Sequence, residues 1–261
     1  LLLVRTLITR DLGLEAAGQF AAAVTITITY VGFVMQAMGA DFLPRMSAII
    51  NDRPAATRLM NDQMQLALAL GGPILLLMIG LAPWVIRLLY SAEFGPAATL
   101  LQWQMIGNVL KLAAWPLTFA FIAKARSGLF FYLQLQYNAV FAAVIWLGLP
   151  AFGIEIAGIS LLAGNVLHIM VTALLARRLH DFRWRADNLG LFAIHTSLAA
   201  GLLVLARAAP LAGGAAAIVL SVVMALVGGH GVISRIGPHG RLVSLVSRTY
   251  TRAGWPVKRL G

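Results

Sequence analysis

Apolar stretches of about twenty residues recur along the chain, each closed by a short polar interval. Complete stretches fall at about 16–39, 64–89, 98–123, 129–149, 153–176, 190–208 and 212–233, after a partial one at 1–8. An apolar helix of about 20 residues crosses a hydrocarbon layer about 30 Å thick. The pattern therefore predicts an all-α, polytopic transmembrane helix bundle, with about seven complete spans and one partial span. The segment 25–29 alternates hydroxylated and apolar residues as a strand would. It lies inside a much longer apolar run, and an open strand cannot satisfy its backbone in lipid, so a helix is expected there too.

Composition agrees with this reading. Hydrophobic residues make up 60% of the chain and charged residues only 11%, against about 25% charged in a soluble domain. Cysteine is absent, which removes disulfides and thiolate metal sites or nucleophiles. The net charge of +11 could suit nucleic acid, but its placement follows the spans instead. Arg45, Arg53 and Arg58 fall in one polar interval, Lys124 and Arg126 in the next but one. Arg177, Arg178, Arg183 and Arg185 come after that, and then Arg235, Arg241, Arg248, Arg252, Lys258 and Arg259. Together these are 15 of the 20 basic residues, on alternate loops. The positive-inside rule then places those loops and the C-terminus in the cytoplasm.

Trp84, Tyr90, Trp103 and Trp146 fall near the opposite boundary, as an aromatic belt does. The loops there, at 90–97, 149–153 and 208–212, are too short for an external domain. The basic tail 234–261 suits the anionic inner leaflet better than nucleic acid. The opening apolar run lacks a basic leader and a small-residue cleavage site. It reads as the last turns of a longer helix, and the chain as a fragment.

Among the polar residues inside spans, Lys111 stands out. It lies near the middle of span 98–123, too deep for its stem to reach either interface. Every acidic residue sits at or beyond a span end, so the chain offers no mid-membrane counter-ion. A missing segment, a water-filled cavity or an anionic ligand could each stabilise the ammonium. Gln104, Asn108, Lys111, Trp115 and Thr118 are spaced to share one helix face. That face is either a ligand-contacting wall or polar glue between helices. Pro116 removes a backbone hydrogen bond beside it, which predicts a kink.

Three weaker stripes read as packing: Thr25, Thr29, Gly32 and Gln36; Gln134, Tyr137 and Asn138; Asn165, His168 and Thr172. Gly71-Gly72-Pro73 predicts a local kink. Arg45 and Arg87 sit at opposite span ends, where each is either a topological anchor or a phosphate contact. The chain carries no glycine-rich phosphate loop, metal-ligand spacing, nucleophile elbow or intramembrane carboxylate pair. We expect no enzymatic activity, cofactor or metal.

Several segments in order resemble a known family. They are Arg10-Asp11-Leu12-Gly13 and its continuation to Phe20; Asp41-Phe42-Leu43-Pro44-Arg45-Met46-Ser47; and Asn61 with Gln63. Leu81-Ala82-Pro83-Trp84, running to Phe94, and Leu101-Gln102-Trp103-Gln104, running to Lys111, complete the series. Over roughly residues 5–185 the chain is similar to Wzx-type O-antigen and enterobacterial-common-antigen flippases, lipid-linked oligosaccharide translocases of the MOP superfamily that includes MurJ and the MATE exporters.

The resemblance implies two six-helix lobes around a cationic central cavity, with this chain as the C-terminal half. Residues 1–185 would form the second lobe with its first helix truncated, 186–233 an additional transmembrane hairpin, and 234–261 a basic cytoplasmic tail. It further implies a bacterial inner (cytoplasmic) membrane location and a role in lipopolysaccharide and polysaccharide biosynthesis. The partners would be a polyprenyl-diphosphate-linked glycan, the bilayer, the missing N-terminal lobe and other polysaccharide-assembly proteins. Lys111 matches a position expected to face the cavity; Asn108, Gln104, Arg45 and Arg87 are the other candidate contacts. Asn108 and Gln134 or Gln136 stand where relatives carry acidic residues.

Three other functions compete with this one. An O-antigen polymerase or ligase acting on the same lipid-linked substrates needs a sizeable external loop, and the outer loops here are too short. A MATE-like exporter of cations conflicts with a central lysine, because like charges repel strongly at low dielectric. A non-transporting scaffold of a polysaccharide-assembly complex leaves Lys111 without a role.

Overall fold

A computed structural model of the protein describes residues 2–236, 250–251 and 254–255. It is all-α: α1 Leu2–Ile49, α2 Arg53–Leu89, α3 Gly95–Ala123, α4 Ser127–Phe152, α5 Ile156–His180, α6 Ala186–Ala208 and α7 Pro210–Ile236. Single 3-10 turns, Ala92–Phe94 and Gly153–Glu155, precede α3 and α5. Six helical stretches are long and apolar enough to cross a membrane. The count falls below the expected seven and a partial one because two neighbouring pairs of predicted spans each run together as one apolar helical stretch. Gly13, at φ 89° and ψ 176°, turns the chain inside α1, joining the partial span to the first complete one. Gly153, at φ 55°, breaks 127–180 into α4 and α5 over a single short turn. Both are backbone conformations that glycine adopts without a Cβ penalty.

The helices also outrun the apolar stretches that announced them. α2 has 37 residues, about 55 Å at 1.5 Å per residue, against a hydrocarbon core of about 30 Å. Its start is fixed by Asp52, whose side chain accepts the Ala55 N–H at 3.0 Å, with Pro54 in the first turn. α1 likewise runs past Pro44, and Phe42 and Met46 from this extension are fully buried. They join Met60, Trp115, Phe121 and Phe182 in a small core at one end of the bundle. That end carries Arg53, Lys124, Arg126, Arg183 and Arg185 and is called the basic end below. The expected kinks at Pro116 and Pro73 leave α3 and α2 as continuous helices.

α3 is the central helix, packed between α1, α2, α5 and α6 and buried along most of its length. Close approach between neighbouring helices depends on small residues, as in other membrane bundles. A Cβ on Gly158 of α5 would lie 2.8 Å from the Cβ of Trp103 and 3.0 Å from the carbonyl of Leu100. On α2, a Cβ on Gly80 would meet the Gly213 carbonyl of α7 at 2.7 Å. The α6–α7 hairpin thus docks on α2, and its Ala199, Leu202, Ala217 and Met224 belong to the main apolar core.

A polar clamp ties the α5–α6 connection to α2 at the basic end. The Asn61 amide donates to the Arg183 carbonyl at 3.0 Å, and its oxygen accepts the Arg185 N–H at 2.9 Å. Asn188, fully buried, donates to the Asn61 carbonyl at 2.7 Å. The Arg185 guanidinium then reaches Asp62 at 2.8 Å and Gln65 at 3.0 Å. The basic tail predicted at 234–261 lies almost wholly outside the described residues.

Candidate functional site

A cavity of about 250 Å³ opens between α1, α3, α4 and α5. α3 contributes Asn108 and Lys111, α4 Gln134, Tyr137 and Asn138, α5 Asn165 and His168, and α1 Thr27. Lys111 is the only exposed residue of α3 between 97 and 123. It lies 16 residues after Gly95 and 12 before Ala123, about 24 Å and 18 Å along the helix axis. The ammonium therefore opens onto the cavity near mid-bilayer depth. None of the described ion pairs involves it, and no acidic side chain lines the cavity.

The walls are held by hydrogen bonds and ring packing. Asn108 donates to the Gln104 carbonyl one turn back at 2.8 Å, and Asn138 to that of Gln134 at 2.7 Å. Thr27 Oγ1 donates to Gln104 Oε1 at 2.6 Å, linking α1 to α3 just behind the wall. The Gln104 Nε2 is buried without a partner, so this amide braces the site from behind and does not line it. His168 Nε2 sits 3.2 Å from Thr118 Oγ1. Tyr137 packs edge-on to His168 at 6.1 Å and stacks on Phe141 at 6.2 Å. Gly164 admits the tyrosine: a Cβ there would come within 3.0 Å of the ring.

Chemically the cavity offers one fixed cation, several amides and a phenol, with aromatic surface beside them. Such a lining can hold an anion flanked by hydroxyl-rich groups. It supplies no carboxylate for a cation, and among the described residues no group of three or more metal-binding side chains occurs.

The sequence-predicted residues do not all meet here. Lys111 and Asn108 line the cavity and Gln104 supports it. Arg45 is exposed at the basic end, where Asp41 pairs with it at 2.9 Å. Arg87 lies at the opposite end, in a separate cup with Arg207 and Glu155. Farther along the α3 stripe, Trp115 faces Phe42 and Phe119 in the basic-end core. Two stripes read as packing, on α4 and α5, turn out to supply five of the twelve lining residues, Gln134, Tyr137, Asn138, Asn165 and His168. On α1 the polar lining residue is Thr27, whereas Thr25 and Thr29 are exposed. Periodicity alone could not choose among these threonines, because the choice depends on which way α1 faces α3.

The fold and cavity define a class: a multi-pass membrane protein whose bundle encloses a polar, singly cationic chamber at mid-depth. Comparison with protein-family models, curated proteins and solved structures gives no match.

Proposed function

We propose that this chain forms one lobe of a flippase moving a polyprenyl-diphosphate-linked oligosaccharide across the bacterial inner membrane. The observation that carries this reading is Lys111: the one exposed side chain between residues 97 and 123 of the central helix, opening without a carboxylate onto an amide-rich cavity. An unpaired cation at that depth is expensive, and a diphosphate is a ligand that would offset the cost. Asn108, Asn138 and Asn165 would contact sugar or phosphate oxygens. The polyprenyl tail stays in lipid.

In this reading the chain is the second of two lobes, the C-terminus is cytoplasmic, and rocking of the lobes exposes the headgroup to either side. Transport requires no bond to be made or broken, so the protein acts without catalysis or cofactor. The cation-exporter alternative lacks the carboxylate that it would need.

The test is headgroup translocation of a polyprenyl-diphosphate glycan in proteoliposomes, comparing the full-length protein with its Lys111→Gln variant. Loss of flipping with expression and fold intact is the expected result. Unchanged flipping would remove Lys111 from the substrate path, and the mechanism with it. The isolated chain, lacking half the cavity wall, is expected to be inactive.

A further inference from the structure

The end of the bundle opposite the basic loops carries a second polar recess that the translocation reading leaves unused. It is a cup of about 360 Å³ where the C-terminal ends of α2 and α6 meet the starts of α3 and α5. Arg87, Thr99, Gln102, Glu155 and Arg207 face it. Glu155 accepts from Arg207 at 2.6 Å and from the Trp103 indole at 2.7 Å. The Arg207 guanidinium also lies 5.2 Å from the centre of the Trp103 ring. Arg207 is thus held in place by a carboxylate and an aromatic face, with further N–H groups left to donate. Arg87 forms none of the described ion pairs. Two guanidinium groups against one carboxylate leave the cup net positive. α3 begins at its edge with no side-chain cap on its first turn, which adds the positive end of a 29-residue helix.

Position narrows the ligand. The cup lies where four spans end, at headgroup depth, and Trp84 and Leu88 beside it are exposed. Guanidinium pairs match phosphate oxygens in geometry as well as charge.

We propose that this cup is an anion site for a phosphate group, built jointly by α2 and the α6–α7 hairpin, and occupied by the headgroup of an anionic phospholipid. It explains why Arg207, on a hairpin outside the family-like stretch, is braced from two sides. The proposal stands apart from the translocation reading and is tested without any transport assay.

The full chain is placed in nanodiscs of phosphatidylcholine containing phosphatidylglycerol, and retained lipid is read by native mass spectrometry. Inorganic phosphate is titrated separately into discs of phosphatidylcholine alone. Each interfacial cation contributes about fivefold to anionic-lipid binding, so the Arg87→Gln/Arg207→Gln double variant should lose phosphatidylglycerol retention by about twenty-five-fold. Arg87→Lys/Arg207→Lys keeps the charge and should restore most of it. Arg126→Gln, a single interfacial cation outside the cup, should cost about fivefold at most.

Phosphate binding in the lipid-free arm that the glutamine variant abolishes would keep the site and assign it a soluble source. Three results would overturn the proposal. One is equal retention and equal phosphate binding by the protein and its glutamine variant. Another is a loss that the lysine variant fails to restore while the melting temperature falls. The third is an equal loss in Arg126→Gln, which would reduce the effect to overall charge.

Discussion

Asn61 offers the sharpest test of how the α5–α6 connection is held. Its side chain makes three bonds across the interface: to the Arg183 carbonyl, from the Arg185 N–H, and from the Asn188 amide at 3.1 Å. Asn61→Ala removes all three, while Asn188 keeps its 2.7 Å bond to the Asn61 backbone carbonyl. The stranded groups are a main-chain carbonyl and a main-chain N–H in a partly buried corner. At about 1 kcal/mol per lost bond, with a further penalty for any donor or acceptor kept from water, the clamp should weaken by about 2–4 kcal/mol.

The clamp can open locally, so the readout must be local. Trypsin cleavage after Arg183 and Arg185 follows the population of the opened connection when opening is fast relative to cleavage. Asn61→Ala should raise that rate by tenfold or more, and SDS titration in mixed micelles should report any global loss. Arg185→Gln is the control. It cuts ion pairs to Asp62 and Asp187 that are substantially exposed, worth under about 1 kcal/mol each, and leaves the Arg185 N–H bonded to Asn61. Although it removes one trypsin site, cleavage after Arg183 still reports opening. If Arg185→Gln opens the connection as much as Asn61→Ala, the side-chain ion pairs hold it and the argument from backbone satisfaction fails.

Two further predictions concern packing and the cavity. Gly158→Ala drives a methyl group toward the backbone of Leu100 and the Cβ of Trp103. It should cost about 1–3 kcal/mol by SDS titration, whereas Gly190→Ala, with nothing within 4 Å, should be neutral or stabilising. Because the chain has no cysteine, Lys111→Cys is a unique label. A small water-soluble thiol reagent should modify it, while Leu112→Cys, at a position 1% exposed, stays protected. Equal rates at both positions would mean that the cavity is not hydrated.

What the sequence made legible follows from how each signal arises. Bilayer crossing is a local, additive property of about twenty residues, so the spans could be read without knowing their neighbours. Lys111 was legible for the same reason: a charge at mid-span is anomalous whatever surrounds it. Helix length was less so, because the extensions at Phe42, Met46 and Met60 are stabilised by one another and by Trp115. Those partners are far apart in sequence.

The cavity was legible one wall at a time. Each helix announces a polar stripe, yet only α3's could be singled out, because only it carries a charge. Gln134, Tyr137, Asn138, Asn165 and His168 gain their meaning from facing Lys111, and that juxtaposition is set by tertiary contacts such as Tyr137 against Gly164. The same logic separates Arg87 from Lys111. Both are cations of one chain, but α2 delivers Arg87 to a helix end, where Arg207 meets it from a hairpin that no sequence motif connects to it. A polar stripe in a membrane helix therefore gains functional weight when a charged residue on a neighbouring helix opens onto the same space, and without one it reads as packing.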